Sequence, residues 1–159
     1  LHDLGKGLSP REEWPHHYGH EERGAPLVDA VCARLRVPVE CRELALLVAR
    51  EHGNVYKSGE MQPAALTRFL ERVDLLRRPE RFEALLFAAQ CDAQGRPGFE
   101  DYTSPALPRL RAAAAAFASV DAGAIARACS DKSQIPARLH EARVDAVRAA
   151  AGAGLGEQA

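Results

Sequence analysis

Apolar residues recur three and four positions apart along almost the whole chain, and this spacing constrains the fold more than any other feature. Residues at that spacing lie on one face of an α-helix, whereas a β-strand requires alternation with a period of two, which no stretch maintains for long. Proline and glycine residues separate the segments that carry the pattern. These segments are residues 25–35, 40–51, 63–77, 80–93, 110–120 and 135–150. The sequence therefore predicts an all-α helical bundle.

The character of the sequence changes near residues 97–104. Beyond this point Pro105 and Pro108 precede an alanine-rich segment that has little side-chain bulk to pack. We predict one domain over residues 1–97 and a helical C-terminal extension over residues 98–159.

The composition excludes several classes of protein. Hydrophobic residues make up 47% of the chain, which is enough for a core, and no apolar run approaches the ~20 residues that span a membrane. The 21 basic and 22 acidic residues nearly cancel, so the net charge favours no particular partner. The four cysteines lack the Cys-x-x-Cys spacing of a zinc ribbon, and we interpret them as free thiols in a reducing cytoplasm.

The dipeptide His2-Asp3 is the first candidate for chemistry. An imidazole nitrogen and a carboxylate oxygen can bind one divalent metal ion when other ligands come from elsewhere in the fold. A remote aspartate is needed to complete such a site. Asp74, on the apolar face of a predicted helix, is the preferred third ligand, and Asp92, near a helix end, is the alternative. A metal ion held in this way supports phosphate-ester hydrolysis, because it polarises the phosphoryl group and lowers the pKa of water.

Three further residues are candidates for catalytic roles. His20 and His52 could orient a phosphate or activate water, and Lys6, in a Gly-Lys-Gly loop, could steer a phosphate. Each also has an ordinary structural interpretation, since a histidine in a last helical turn is favoured by the helix dipole alone and surface lysines are common. His16 and His17 are weaker candidates, because adjacent side chains point in different directions.

A cluster of arginines offers a different function. Arginines three and four positions apart on a helix share a face and can contact successive phosphates of RNA. We predict that Arg77 and Arg78 bind RNA, which would make the chain a non-catalytic RNA-binding body. The alternative is a solvated face neutralised by nearby glutamates. The cluster consists of Arg68, Arg72, Arg77, Arg78 and Arg81.

Four segments, residues 2–28, 37–54, 69–83 and 91–100, are distinctive as a set. They begin with HDLGKG, continue through YGHEERG and REHGN, and reach RRPERFE and CDAQGRPGFE. In this order they resemble the HD-domain phosphohydrolase superfamily and, more narrowly, the C-terminal half of the bacterial multifunctional CCA proteins, which are tRNA nucleotidyltransferases. The resemblance covers residues 1–101 well and continues mainly through residues 135–147. It implies an HD-domain-like helical bundle.

The resemblance also implies an activity, a cofactor and partners. It implies a metal-dependent 2',3'-cyclic phosphodiesterase with 2'-nucleotidase and phosphatase activity, which uses Ni²⁺, Mg²⁺ or Mn²⁺. The expected partners are tRNA or RNA ends that carry a 2',3'-cyclic phosphate, with no membrane and with a homodimer as an option. The HD pair falls on His2 and Asp3, and the later family histidine falls on His52. We expect the family's upstream histidine to precede Leu1, and the nucleotidyltransferase head to be absent from this chain.

Overall fold

The computed structural model describes residues 1–153, and in this range the chain forms helices and no β-strand. The prediction of an all-α fold is therefore confirmed. Short 3₁₀ turns precede or link the helices at Leu4–Leu8, Arg11–Glu13, Ser58–Glu60 and Lys132–Gln134. The α-helices are α1 (His20–Arg34), α2 (Val39–Lys57), α3 (Pro63–Arg72), α4 (Pro79–Gln94), α5 (Ala106–Ala118), α6 (Ala122–Ala128) and α7 (Ile135–Ala153).

Helices α2 and α3 end several residues away from the sequence-based expectation, each for a local reason. Helix α2 continues through Gly53, although glycine in a helix costs about 1 kcal/mol relative to alanine. A Cβ atom at Gly53 would lie 3.0 Å from Glu21 Oε1, so the glycine permits a close approach to α1. Helix α3 ends at Arg72 rather than near residue 77, because Asp74 adopts a left-handed backbone conformation with φ of 58°.

The chain forms two compact units that alternate along the sequence. The first unit contains Leu1–Tyr56 and Glu80–Ser104. The second unit contains Lys57–Pro79 and the chain from Pro105 onward. The step from Ser104 to Pro105 falls at the end of the predicted 97–104 transition, and the division into a domain of residues 1–97 and an extension of residues 98–159 stays a prediction. Residues 154–159 of that extension lie outside the described part.

The first unit builds its core from helices with buried residues at helical spacing. On α1, Ala25, Val28 and Cys32 are buried in this way, and Val28 packs with Cys32 and with Ala49 of α2. Helix α4 contributes a second apolar face at the same spacing. Its buried residues are Phe82, Leu85, Leu86, Ala89 and Ala93.

A glycine contact fixes the start of the chain against α1. A Cβ atom at Gly5 would lie 1.9 Å from the His20 carbonyl oxygen and 2.6 Å from the Gly24 backbone nitrogen. Only a residue without a side chain fits there, because backbone atoms cannot move aside as a flexible side chain can. This close packing holds the 3₁₀ turn that follows Asp3 against the first turns of α1.

The second unit packs α3, α5 and α7 around a separate core. Phe69, Leu70 and Val73 are fully buried there, and Phe117 of α5 is nearly so. The Arg143 guanidinium lies 4.5 Å from the centre of the Phe117 ring, which is a cation–π distance. This apolar core explains why the alanine-rich helix α5 is ordered despite its small side chains.

Candidate metal centre

His2 and Asp3 occupy the segment just before the first 3₁₀ turn, and α2 brings His52 to them. One ligand atom from each of these three residues lies within 4.8 Å of the other two. His52 is on the buried face of α2, with Ala49 and Val55 three residues to either side. The amphipathic pattern of α2 therefore explains why a histidine at this position points inward.

Hydrogen bonds orient two of the imidazole rings. His52 Nδ1 lies 2.9 Å from the Val48 carbonyl oxygen, and His20 Nδ1 lies 2.8 Å from the His17 carbonyl oxygen. A carbonyl oxygen only accepts hydrogen bonds, so Nδ1 is the protonated nitrogen in each neutral ring. The Nε2 atoms are then unprotonated and can accept a metal ion, which is the arrangement that metal-binding histidines adopt.

The unprotonated Nε2 atoms of His20 and His52 face the same carboxylate oxygen of Asp3. His20 Nε2 lies 3.3 Å and His52 Nε2 lies 3.8 Å from Asp3 Oδ1. The three imidazole rings are packed edge to face, with ring centres 4.8 Å apart for His2 and His52 and 5.4 Å apart for His20 and His52. His20 thus lies in the same cluster as the three residues with converging ligand atoms.

Asp92 brings a second carboxylate to the cluster from α4. Its Oδ1 atom lies 3.1 Å from His2 Nε2, while Asp3 Oδ2 lies 3.3 Å from the same nitrogen. The Tyr56 hydroxyl donates a hydrogen bond to Asp92 Oδ2 at 2.5 Å, and its oxygen also lies 2.8 Å from the Ala89 carbonyl oxygen. Tyr56 therefore holds the carboxylate of Asp92 in place.

The cluster contains polar atoms that the protein itself does not satisfy. His2 Nε2, Asp3 Oδ1 and His20 Nε2 are buried and have no aligned hydrogen-bond partner among the described residues. Each such atom costs about 1–3 kcal/mol when it is left unsatisfied. Bare imidazole nitrogens and carboxylate oxygens are ligands for a divalent cation, so the residues present fit one.

The pKa shifts in the cluster favour the protonation states that a cation requires. Burial raises the pKa of Asp3, but the hydrogen bond from Lys6 and the charge of His2 outweigh it, and the pKa stays below its ordinary value. Burial is also the main influence on His52, where it lowers the pKa because the charged imidazolium loses hydration. Asp3 is therefore ionised and His52 is neutral near neutral pH.

The side chain of Lys6 lies beside the cluster, where it pairs with Asp3. Its Nζ atom is 2.6 Å from Asp3 Oδ2, and its side chain is partly exposed. Lys6 is thus close enough to meet an anion at Asp3, and its role in steering phosphate stays a prediction.

The remaining predicted residues lie in the second unit. Asp74 pairs with Arg77, whose Nε atom is 2.8 Å from Asp74 Oδ1, and Asp74 is not among the residues that the structure brings to the cluster. The carboxylate found there is that of Asp92, which the sequence left open as the alternative. The Arg77 side chain is 83% exposed and Arg78 is also exposed, and RNA binding by both stays a prediction.

Tyr56 was missed by sequence reasoning. It stands one helical turn after His52, so its position on the same face of α2 was available from the spacing. Its partner on α4 was not, because pairing of two helices cannot be read from the period of either one.

The chain is similar in sequence to several bacterial proteins that share the name multifunctional CCA protein. The chain is 60% identical over 147 residues to the multifunctional CCA protein of Cupriavidus metallidurans, covering 92% of this chain and 36% of that protein. It is 54% identical to that of Aromatoleum aromaticum and 50% identical to that of Ralstonia nicotianae, covering 94% and 92% of this chain and 37% and 34% of those proteins.

The chain thus spans little more than a third of the length of these relatives. No family model and no solved structure matches it. Among the described residues, no helix is both long enough and apolar enough to cross a membrane.

Proposed function

We propose, on the premise that this chain belongs to the multifunctional CCA proteins as a segment of 36% of their length, that it carries a metal-dependent phosphohydrolase site. The observation that supports the proposal is the convergence of ligand atoms from His2, Asp3 and His52 within 4.8 Å. Imidazole and carboxylate ligands of this kind bind divalent cations that act on phosphate esters.

The residues that would hold the cation are His2, Asp3, His52 and Asp92. When bound, a divalent cation such as Ni²⁺, Mg²⁺ or Mn²⁺ polarises a phosphate ester and increases the acidity of water. Asp92 is preferred to Asp74 as the remote carboxylate, because Asp92 lies 3.1 Å from His2 Nε2 whereas Asp74 is engaged by Arg77.

The other residues of the cluster would accept a proton from water and attract the charged phosphate of the substrate. His20 has a bare Nε2 beside Asp3 and can accept a proton from water, because its Nδ1 is already committed to the His17 carbonyl. Lys6 carries a positive charge at the partly exposed side of Asp3, where it can attract the phosphate of a substrate. We therefore assign general-base and substrate-binding roles to His20 and Lys6.

The substrate class that we propose is a 2',3'-cyclic phosphate, as a nucleotide or at the end of an RNA such as tRNA. Hydrolysis of the cyclic ester, of a 2'-nucleotide and of other phosphate monoesters would use the same residues. This assignment and a homodimer rest on the resemblance to the family, whereas a cytoplasmic location rests on the four cysteines, which are free thiols.

The experiment measures metal binding and turnover in the same set of variants. Calorimetry with Ni²⁺ and Mn²⁺ should show one site per chain that His2→Ala and Asp3→Ala abolish. Asp92→Asn should weaken binding at least as much as the roughly 10- to 100-fold that a residue supporting the ligands contributes. Asp74→Asn should leave binding unchanged, since asparagine tolerates the left-handed backbone of that position.

Turnover of adenosine 2',3'-cyclic phosphate should follow metal occupancy in these variants. Turnover that survives His2→Ala and Asp3→Ala unchanged would eliminate the proposal. A greater loss of metal affinity in Asp74→Asn than in Asp92→Asn would reverse the choice of carboxylate.

An RNA-binding body without chemistry is the second candidate function. It is supported by the exposure of Arg77 and Arg78 at adjacent positions after α3. Both functions can coexist in one chain, so each is tested by its own variants.

A further inference from the structure

The segment between the two 3₁₀ turns and α1 carries a group of rings that the metal centre does not use. We define the aromatic loop as residues 14–18, in which every residue except Pro15 has an aromatic or imidazole ring. Phe, Trp and Tyr together are only 6% of the chain. Nevertheless, the Trp14 and Tyr18 side chains are 59% and 69% exposed, and His16 is exposed as well.

The exposed rings are already arranged for stacking. His16 and Tyr18 stack on each other, with ring centres 5.4 Å apart and planes inclined by 22°. Trp14 lies beside His17, with ring centres 6.4 Å apart. A flat ligand can extend the His16–Tyr18 stack without any rearrangement of that pair.

Hydrogen bonds from α1 and from within the preceding segment hold the aromatic loop in this form. The Arg23 side chain donates to the Tyr18 carbonyl oxygen at 2.6 Å and to Ser9 Oγ at 3.1 Å. The indole nitrogen of Trp14 donates to the Ser9 carbonyl oxygen at 3.4 Å. Because these bonds fix the backbone beneath the rings, a ligand that stacks on them meets a partly preorganised surface.

The aromatic loop is joined directly to the metal centre. The His17 carbonyl oxygen accepts hydrogen bonds from both the His20 backbone nitrogen at 3.1 Å and the His20 Nδ1 atom at 2.8 Å. His17 Nδ1 is buried and has no hydrogen-bond partner in the described part of the chain. A single short segment therefore orients His20 at Asp3 and presents the rings to solvent.

We propose that the aromatic loop binds the nucleobase of the substrate by stacking, with Tyr18 and His16 as the platform and Trp14 as a neighbouring ring. This inference rests on the proposed function, because it names the residues that would hold the base of the nucleotide substrate proposed there. Every base has a flat face, so the platform would accept all four bases. The phosphate of the same nucleotide would then lie toward Asp3 and Lys6.

The first test measures binding without turnover. Trp14 is the only tryptophan of the chain, so its fluorescence reports on the aromatic loop alone. In EDTA, adenosine 2',3'-cyclic phosphate should change this fluorescence saturably, whereas ribose 5-phosphate should not. An equal response to both compounds, or a response to neither, would overturn the proposal.

The second test compares substrates with and without a base. Tyr18→Ala should raise the KM for adenosine 2',3'-cyclic phosphate by roughly 5- to 150-fold, the contribution of one stacked base. The KM and kcat for glycerol 2-phosphate should not change. Tyr18→Phe, which keeps the ring, should restore the nucleotide KM.

Phe87→Ala is the matched control, because Phe87 is also 69% exposed and belongs to the same unit. An effect of Phe87→Ala equal to that of Tyr18→Ala would contradict a specific platform. A loss of glycerol 2-phosphate turnover in Tyr18→Ala would also contradict it, since the residue would then support the centre rather than bind the base.

The two proposals fail in distinguishable ways. If no phosphate ester is hydrolysed under any metal, the proposed function fails, but the fluorescence titration in EDTA still decides whether the loop binds a base. If Trp14→Ala and Tyr18→Ala instead change the sedimentation of the chain and leave nucleotide binding, measured by calorimetry, intact, the rings form a protein interface and the proposal is overturned.

Discussion

The hydroxyl of Tyr56 donates a 2.5 Å hydrogen bond to the carboxylate of Asp92, and so joins α2 to α4 at the candidate metal centre. The same hydroxyl lies 2.8 Å from the Ala89 carbonyl oxygen, one helical turn before Asp92. Burial is the main reason that the pKa of Tyr56 is raised, and the neighbouring Asp92 carboxylate raises it further. The phenol therefore stays protonated and remains a donor at all physiological pH values.

Replacement of Tyr56 by phenylalanine should weaken metal binding while preserving the fold. The substitution removes the donor that fixes Asp92 Oδ2 and leaves the ring in place beside His52. We expect roughly a 10- to 100-fold loss of Ni²⁺ or Mn²⁺ affinity, as for other residues that orient metal ligands. Calorimetry with each ion measures the change, and circular dichroism checks that helix content is retained. Unchanged affinity would mean that the hydrogen bond from Tyr56 does not position a metal ligand.

Replacement of Gly5 by alanine should disrupt the metal centre, although Gly5 supplies no ligand to it. The new Cβ atom would lie 1.9 Å from the His20 carbonyl oxygen, so the turn that follows Asp3 must move away from α1. We expect a loss of roughly 3 kcal/mol in the free energy of unfolding, at the upper end of overpacking effects, together with loss of metal binding. Urea denaturation and calorimetry measure the two effects.

Gly7→Ala provides the control for that substitution. Gly7 belongs to the same 3₁₀ turn, but a Cβ atom there would meet no described atom within 4 Å. Stability and metal affinity should both stay close to those of the unsubstituted chain. Equal damage from the two substitutions would indicate that the turn is sensitive to any replacement of glycine, rather than to its packing against α1.

Much of the fold followed from the sequence because amphipathic helices are a local property. The buried faces of α1 and α4 repeat at helical spacing, and Pro63 marks the start of α3 as predicted. The end of α3 was not predictable in the same way. Asp74 leaves the helical conformation with a positive φ, and an aspartate at that position does not by itself indicate such a turn.

The candidate site was predictable only where adjacent residues or the family resemblance define it. The His2-Asp3 pair and the family position of His52 were available from the sequence, and the structure brings these three together. The choice between Asp74 and Asp92 was not available, because it depends on which helix packs against α2. The contact that orients His20 was not predictable either, because it uses the backbone carbonyl of His17, and every residue type has such a carbonyl.

The stability of the metal-free chain should fall as the pH is lowered through the range in which His52 titrates. Burial holds the pKa of folded His52 below its ordinary value of 6.5, so the unfolded chain takes up a proton first as the pH falls. Protonation of the unfolded state alone shifts the equilibrium toward unfolding, and stability is fully present only above the unfolded pKa. Urea midpoints between pH 7.5 and 5.5 in EDTA should therefore decrease.

His52→Asn should flatten that pH dependence, because asparagine does not titrate and can still donate to the Val48 carbonyl oxygen. His16→Asn, at an exposed position, is the control and should leave the slope as it is. A slope that persists in His52→Asn would assign the effect to other groups.

RNA binding through Arg77 and Arg78 should depend on salt. Arg77 is 83% exposed and pairs with Asp74 three residues earlier, a surface ion pair that contributes little to stability and leaves the guanidinium accessible. Replacing both arginines by alanine should weaken binding of a tRNA and reduce the slope of log affinity against log salt by about 1 for each phosphate that an arginine no longer neutralises.

Arg148→Ala is the matched control, since Arg148 is 62% exposed and also pairs with an aspartate three residues earlier, Asp145. Electrophoretic or fluorescence titrations at several salt concentrations measure both quantities. A slope that is the same in all three proteins would exclude these arginines from the RNA-binding surface, because fewer counterions are released when fewer phosphates are neutralised.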